Sequence, residues 1–306
     1  MTTENTSVAV ATRIDNRLTQ AKNEEVVLRA LHKFGFLLGR QVAALGWPRS
    51  RTPRQAQRTL DNLRTGRLVL RQYTPTGGAV YCLTVAGATH VRGAYGLDAE
   101  PGTNLLKRLF HHHEHRTIAN DVCIWWQLKG LGGFNTEHEI ANGKAVVSKV
   151  PALLGEVKGK VPDALLMLPP DVEGGATRVF WVEAESKRKK SPEMRHMISM
   201  LAHMLAGYGR NKFELDLRGN EVHYALIACP DTLHEKQVAR AVLAVAATAQ
   251  YSVPALLQRI CLWRPPGEML RLDDWLLENP DVRDEFKDNR ILAPHLKPMP
   301  LAAVAP

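Results

Sequence analysis

Two apolar segments that carry carboxylates decide the fold of the second half of this chain: Val161-Pro162-Asp163-Ala164-Leu165-Leu166-Met167-Leu168 and Val179-Phe180-Trp181-Val182-Glu183-Ala184-Glu185-Ser186-Lys187. Each has the apolar content of a buried β-strand. A charge in such a run is destabilising unless it binds a cation or a partner. Two such strands side by side would gather Asp163, Glu183 and Glu185 into one cluster. Clustered carboxylates are ligands for Mg²⁺ or Mn²⁺, and these ions activate water and stabilise phosphoryl transfer.

The spacing of the acids matches the PD-(D/E)xK nuclease signature, in which one acid lies on a strand and a (D/E)xK triplet lies on the next strand. Strand side chains alternate, so the first and third residues of the triplet face the same side. If residues 179–182 are the strand, Glu183 is the acid and Glu185 stands in the lysine position. A shift of two residues gives the triplet Glu185-Ser186-Lys187, which keeps the lysine. The shift preserves strand parity, and the sequence leaves both registers open.

The preferred metal ligands are Asp163, at the start of its strand, and Glu183, directly after an apolar run. Glu185 then binds the metal or acts as a base, and Lys187 stabilises phosphate charge. Glu139, on a predicted preceding strand, either completes a second metal site or faces solvent. The alternative for the acidic set is a group of surface carboxylates on an edge strand, paired with the lysines that follow.

A histidine run, His111-His112-His113-Glu114-His115, formally matches the inverted zinc-peptidase motif HxxEH. On a helix, His111 and His115 would share a face. That motif needs a further carboxylate on another helix, and a peptidase would leave the basic N-terminal third unexplained. We expect instead that Glu114 or His115 faces the cleft of the acidic strands.

The charge of the 306-residue chain is unevenly distributed. Its net charge is +9, and residues 1–100 hold 14 Lys and Arg against 7 Asp and Glu, a difference of +7. This imbalance predicts a polyanionic partner, most simply nucleic acid. No apolar run approaches the roughly 20 residues of a membrane span, and the N-terminus lacks a signal-peptide pattern. The four cysteines are isolated in sequence. We therefore expect a cytoplasmic protein with reduced thiols and no membrane partner.

The basic third has the pattern of a winged helix-turn-helix. Three predicted helices, starting near residues 23, 39 and 53, precede two predicted strands at 68–73 and 79–83. The third helix of such a module contacts phosphates and guanine edges. The candidate DNA-binding residues are Arg49, Arg51, Arg54, Gln55, Arg58, Arg64, Arg67 and Arg71, with Gln55 and Arg58 as base readers. A winged helix that makes protein contacts is the alternative.

The chain is predicted to be a mixed α/β protein with two domains. A flexible arm (1–19) precedes the winged helix (20–96), and a linker over 96–103 leads to a nuclease-like domain (104–292) and an extended tail (293–306). The second domain begins with a helix over 104–128. Strands are predicted at 134–140, 145–149, 161–168, 178–184, 222–229 and 257–263, with helices at 191–208 and 234–247. This order is typical of a three-layer α/β arrangement.

These motifs together resemble the replication-relaxation proteins of plasmids and integrative elements, a family related to MOBC-class relaxases. The resemblance covers roughly residues 22–230 and rests on His115-x-x-x-x-Asn120-Asp121, Glu137-x-Glu139, Val161-Pro162-Asp163-Ala164 and Phe180-x-Val182-Glu183-x-Glu185. It implies a winged helix followed by a restriction-endonuclease-like domain. It also implies that Asp163, Glu183 and Glu185 are catalytic acids, supported by His115 and Glu139. The chain departs from the nuclease pattern where Glu185 takes the lysine position.

We therefore expect a protein that binds double-stranded DNA at a plasmid or mobile-element origin and nicks or relaxes it, using Mg²⁺ or Mn²⁺. A covalent tyrosine route is a second chemistry, for which Tyr208 is the candidate. The alternative from another class is a non-enzymatic mobilisation or replication accessory factor, or a repressor, with a degenerate nuclease-like domain. Other mobilisation or replication proteins and a second copy of the chain are the expected protein partners.

Overall fold

The structure, a computed structural model, describes residues 4–49, 53–74, 78–145, 161–169, 177–187, 189–206, 221–248 and 250–296. For residues 4–16, 105–112, 206 and 221 it describes the backbone alone. The chain divides into two compact units, Met1–Asn120 and Asp121–Pro306. Arg51 and Tyr208, two of the predicted functional residues, lie outside the described residues, as does most of the predicted strand at 145–149.

The first unit combines helices with a three-stranded antiparallel sheet. Its elements are α1 (Glu4–Phe34), β1 (Phe36–Leu38), α2 (Gly39–Gly46), α3 (Arg54–Thr65), β2 (Val69–Tyr73), β3 (Ala79–Leu83) and α4 (Val85–Tyr95). The helix α5 (Thr103–Leu128) begins in this unit and ends in the second. The sheet order is β1-β3-β2. The predicted helices and hairpin are present, and the short β1 is an addition that the sequence did not reveal.

The core of the first unit includes one face of α1 and one face of α3. Its buried side chains on these helices are Val27, Leu28, Leu31 and Phe34 of α1 and Ala56, Leu60 and Leu63 of α3. Their spacing of three and four residues places each set on a single helical face. The remaining faces of α3 are left to polar and basic residues.

Residues 4–19 of the expected flexible arm are helical. α1 begins at Glu4, whereas the sequence predicted an arm over residues 1–19 because they lack an apolar period. Residues 17–22 are all exposed, so these turns of the helix need no apolar face. The predicted linker, residues 96–103, lies within the first unit.

Thr84 and Gly87 fix the start of α4 against the hairpin. Thr84 caps the helix, because its Oγ1 accepts a hydrogen bond of 2.9 Å from the Gly87 amide. The same hydroxyl donates to the Arg67 carbonyl at 2.6 Å. A Cβ at position 87 would lie 2.0 Å from the Leu68 carbonyl oxygen, so this close approach requires glycine.

The second unit contains a six-stranded mixed sheet and its flanking helices. After the end of α5, its elements are β4 (Phe134–Thr136), α6 (Glu137–Ala141), β5 (Ala164–Leu168), β6 (Arg178–Ala184), α7 (Ser191–Ala206), β7 (Glu221–Ala228), α8 (Thr232–Ala246), α9 (Val253–Arg259), β8 (Ile260–Arg264), β9 (Glu268–Arg271), α10 (Leu272–Glu278), α11 (Pro280–Asp284) and α12 (Ala293–Leu296). The strand order follows the chain, β4-β5-β6-β7-β8-β9. The central pairs β6–β7 and β7–β8 are parallel, and the outer pairs are antiparallel.

Both faces of this sheet are covered. Side chains alternate along β6, so Val179 and Trp181 face the core formed with α7 and α8. Phe180 points the other way, where its ring meets the ring of Trp126 of α5 at 5.5 Å between centroids. Helix, sheet and helix therefore form three layers in this unit. The mixed α/β class predicted from the sequence is confirmed.

Several element boundaries differ from the predictions. The strand predicted at 134–140 is wrong beyond Thr136, because Glu137–Ala141 forms α6. The strand predicted at 257–263 begins at Ile260, after the short helix α9. β9, α10 and α11 were not predicted, and the proposed extended tail begins with α12. No helix in the described ranges combines the length and the apolar character that crossing a bilayer requires.

Candidate functional site

Asp163 lies directly before β5, where its carboxylate reaches the backbone of β6. The Asp163 amide donates to the Val182 carbonyl at 3.0 Å. Asp163 Oδ2 in turn accepts a hydrogen bond of 2.8 Å from the Ala184 amide. Ala184 lies between Glu183 and Glu185, so the structure brings the first predicted acid to the predicted triplet.

Glu183 is a buried carboxylate near the end of β6. It is 1% exposed, and its Oε1 accepts a hydrogen bond of 2.6 Å from the indole Nε1 of Trp181. The two side chains share a face because they are two residues apart on a strand. A buried carboxylate is destabilising unless its oxygens are hydrogen-bonded. The Trp181 indole therefore helps to hold this carboxylate in place.

Glu185 is equally buried, at 2% exposed, but its partner is a cation. The ammonium group of Lys189 forms a hydrogen-bonded ion pair with Glu185 Oε1. Lys187, the lysine predicted to act here, is exposed. Lys189 also lies 3.3 Å from the sulfur of Met197 of α7, and its carbonyl accepts a hydrogen bond from Gln237 of α8. Two helices therefore position the lysine that meets the acidic segment.

The carboxyl ends of the three parallel strands lie side by side. The Glu185 amide donates to the Ala228 carbonyl at 2.9 Å, and the Cys229 amide donates to the Trp263 carbonyl at 2.8 Å. Burial raises the pKa of the Cys229 thiol well above its usual value, and the nearby carboxylates of Glu235, Glu185 and Asp231 raise it further. The carboxylates of Asp163, Glu183 and Glu185 at the end of β6 form an acidic edge of the sheet. This acidic edge therefore extends past β6 to the end of β7. The Cys229 thiol there stays protonated.

The start of α8 adds charged residues that were not predicted from the sequence. Asp231 Oδ1 accepts from the His234 amide and from His234 Nδ1, each at 2.9 Å. The bond to the His234 side chain is the largest cause that lowers the pKa of Asp231. Glu235, 2% exposed, accepts from Trp275 Nε1 at 2.9 Å and lies 3.7 Å from Arg264 Nη1. The spacing Asp231-x-x-His234 after a strand is a helix-cap signal that the sequence contains.

Few side chains at this edge could bind a metal ion, but those present are suitable ligands. Across the described ranges, no group of three or more His, Cys, Asp or Glu side chains is arranged to hold a metal ion. Mg²⁺ commonly needs only one or two protein carboxylates, because water and substrate phosphates complete its shell. Asp163 and Glu183 offer the hard oxygen donors that Mg²⁺ and Mn²⁺ prefer. Glu185 is already engaged by Lys189.

Glu139 occupies a position other than the one expected. Glu139 belongs to α6, not to a strand, and its Oε2 accepts a hydrogen bond of 2.9 Å from the Thr136 amide. Thr136 Oγ1 accepts from the Glu139 amide in return, at 3.2 Å, which completes a capping box. His115 is half-buried on α5 and falls in the first unit. The geometry therefore gives Glu139 a helix-capping role.

The basic residues of the first unit are mostly on the surface. Arg54 and Arg58, one turn apart on α3, are exposed, and Gln55 is half-buried. Arg64 is exposed too, and its Nη2 lies 3.5 Å from Asp61. Arg54 and Arg58 thus share the outward face of α3.

The other basic candidates of the first unit flank α3. Arg49 precedes this helix and is exposed. Arg67, also exposed, follows it with a φ of 57°. Arg71 on β2 lies over the ring of Tyr73, 5.2 Å from its centroid. Basic side chains therefore lie on both sides of α3 in the sequence.

Comparisons with protein-family models, with curated proteins and with solved structures find no match to this chain. The resemblance to replication-relaxation proteins therefore rests on the sequence motifs alone. The geometry of the acidic edge and of α3 is the basis for the function proposed below.

Proposed function

We propose that the chain is a DNA-processing protein whose first unit binds duplex DNA as a winged helix. The hairpin β2–β3 follows α3 as a wing follows a recognition helix. Arg54 and Arg58 on the exposed face of α3 supply the side chains that pair with phosphates and guanine edges. The excess of basic residues in this third of the chain supports the same partner.

The second unit is proposed to nick the bound DNA with a restriction-endonuclease-like site. One observation carries this proposal: the Asp163 carboxylate is hydrogen-bonded to the Ala184 amide, between Glu183 and Glu185. The PD-(D/E)xK arrangement requires an acid on one strand and an acidic triplet on its neighbour, and β5 and β6 are antiparallel neighbours. Burial of Glu183 and Glu185 carries a free-energy cost that a catalytic role would explain.

Each acidic residue has a distinct part in this proposal. Asp163 and Glu183 would hold Mg²⁺ or Mn²⁺, which when bound activates water and offsets phosphate charge. Lys189, rather than Lys187, would present a cation to the phosphate beside Glu185. The metal-binding role and the phosphate-binding role both depend on β6, because β6 carries Glu183 and ends directly before Glu185.

A non-enzymatic accessory factor or repressor is the second candidate, and the ion pair between Lys189 and Glu185 favours it. In this pair the cation belongs to the protein, so Glu185 would need to exchange partners before it could bind a metal ion. The second unit would then serve as a platform for a partner protein, and DNA binding by the first unit would remain.

A supercoiled plasmid that carries the cognate origin tests the two candidates. The wild-type protein with Mn²⁺ should produce nicked circles, and Asp163→Asn and Glu183→Gln should each abolish nicking while duplex binding persists. Glu278→Gln, at an exposed carboxylate of α10, is the matched control and should nick normally. Nicking that survives both acidic-site changes would exclude this site. A wild-type protein that binds the origin without nicking it would favour the accessory factor.

A further inference from the structure

A groove between α7 and α8 opens beside the acidic edge. Its volume is about 390 Å³, and its lining consists of Ser191, Met194, Arg195, Gln237, Arg240, Ala241, Ala244 and Phe286. Ser191 and Arg195 are one turn apart and therefore share a face of α7. The alanines of α8 leave room at the opposite wall. The α7 wall of the groove thus presents a hydroxyl, a thioether and a guanidinium group. The α8 wall combines two small alanines with Gln237 and Arg240.

The charge of this region is strongly positive. Residues 187–196 contain five Lys and Arg and one Glu. Lys187, Lys190 and Arg195 are exposed, and none of the three forms an ion pair with a described residue. Arg240, on the other wall, is held by a bidentate contact to Glu285 at 2.8 and 3.1 Å from its Nε. Arg195, which lines the groove, and Lys190, which directly precedes α7 and is not part of the lining, are therefore the cations most available to an anionic ligand.

Gln237 connects the groove to the acidic edge. It lines the groove, and its Nε2 donates to the carbonyl of Lys189. The ammonium group of Lys189 reaches Glu185. A ligand in the groove would therefore lie two side chains away from the candidate nicking site. This continuity argues for a single extended ligand that passes both places.

We propose that the groove between α7 and α8 binds the phosphodiester backbone of the DNA strand next to the nick, through Lys190 and Arg195. This inference rests on the proposed function and names the path of its substrate. Phosphates along a strand are regularly spaced anions, and Lys and Arg are their usual protein contacts. Such contacts fix the register of the strand without reading its sequence. The groove would thus position the strand, while α3 selects the site.

The salt dependence of DNA binding by the full-length chain tests this inference. Arg54→Ala/Arg58→Ala serves as the background, so that the contribution of α3 to the affinity for a labelled single-stranded oligonucleotide is reduced. Adding Lys190→Ala/Arg195→Ala should reduce the slope of log K against log[KCl] by about 1.4, because each lost phosphate contact contributes roughly 0.7 on a single strand. The charge-preserving pair Lys190→Arg/Arg195→Lys should restore the slope.

Lys129→Ala/Arg290→Ala is the matched control, because it removes one exposed lysine and one exposed arginine elsewhere in the second unit. It should leave the slope unchanged. An equal slope for the groove variant and the control would overturn the inference, as would loss of all binding in the Arg54→Ala/Arg58→Ala background. If the slope falls as expected but the wild-type protein does not nick, the groove stands and the nicking proposal fails. If the protein nicks but the slope is unchanged, the nicking proposal stands and the groove inference fails.

Discussion

The indole of Trp181 donates a hydrogen bond of 2.6 Å to the carboxylate of Glu183, and both side chains are almost wholly buried. Such a hydrogen bond contributes about 0.5–3 kcal/mol, and loss of the indole removes one of the contacts that hold Glu183. A proposed metal ligand is thus also part of the packed core. Substitutions at this position therefore need a measurement of stability beside any measurement of activity.

Trp181→Phe should lower the free energy of unfolding by about 2–4 kcal/mol, because it removes the donor to Glu183 and part of a buried ring. Trp263→Phe is the matched control: Trp263 is 1% exposed, and its indole nitrogen has no hydrogen-bond partner in the described part of the chain. It should cost less, since no hydrogen bond is lost. Urea denaturation compares the two. Equal costs would show that the bond to Glu183 contributes nothing.

Lys189→Met should destabilise the second unit by about 2 kcal/mol, because it leaves the buried Glu185 carboxylate without its cation. Lys187→Met, at an exposed position, should change stability by less than about 0.5 kcal/mol. Thermal and urea unfolding of both variants give the comparison. If Lys187→Met proved the more damaging change, the assignment of Lys189 as the partner of Glu185 would be wrong.

Asp231→Asn should destabilise the protein more at neutral pH than in acid. The contact to His234 lowers the pKa of Asp231 in the folded state. A carboxylate of this kind contributes stability above its unfolded pKa, and the contribution disappears as the pH falls through the folded pKa. The gap between wild type and variant should therefore close below that value. Urea unfolding across pH 7 to about 2.5 measures it, with the exposed Asp288→Asn as control. A gap that is independent of pH would contradict the prediction.

The four cysteines should resist alkylation in the native protein, since all four are buried. Burial raises the pKa of Cys82 and of Cys261 to about 12, and the thiolate is the form that reacts. Iodoacetamide at pH 8 should label none of them until urea unfolds the chain, after which all four should react. Mass spectrometry of the labelled protein counts the modified thiols. Rapid labelling of any one thiol would show that its burial is incomplete.

Arg58→Ala should weaken binding to origin DNA by about 1–3 kcal/mol if Arg58 reads a base edge. Arg17→Ala, at an exposed arginine of α1, is the control and should have little effect. Fluorescence anisotropy with cognate and scrambled duplexes separates the two kinds of contact. A base reader loses discrimination between the duplexes, whereas a phosphate contact weakens both equally.

The sequence predicted those elements best whose apolar pattern is set by burial. β6 was expected at 178–184 and is found at Arg178–Ala184. Its apolar run lacks helical spacing and leads into an acid, and this pattern is most simply interpreted as a buried strand. The sequence favoured Lys187 as the lysine that acts here, whereas the partner of Glu185 is Lys189, one of the lysines in the alternative interpretation. The choice between Lys187 and Lys189 depends on how the chain turns into α7. No local pattern encodes that turn.

The helical position of Glu139 was indicated by a capping-box signal in the sequence, although a strand was predicted there. Thr136-Glu137-His138-Glu139 has the spacing of a capping box, which marks a helix start. The strand predicted over residues 134–140 did not take this spacing into account. Local hydrogen bonding decided the outcome, because Thr136 and Glu139 satisfy each other's backbone amides.

The outermost described strands of the second unit's sheet are short. β4 has three residues and β9 has four. Glu268 at the start of β9 is paired with Arg264, and Arg271 at its end with Asp273 and Asp274. Long apolar edges invite the strand of another molecule, and short charged edges discourage it. The β9 edge of the large sheet is therefore protected against the addition of a strand from another molecule.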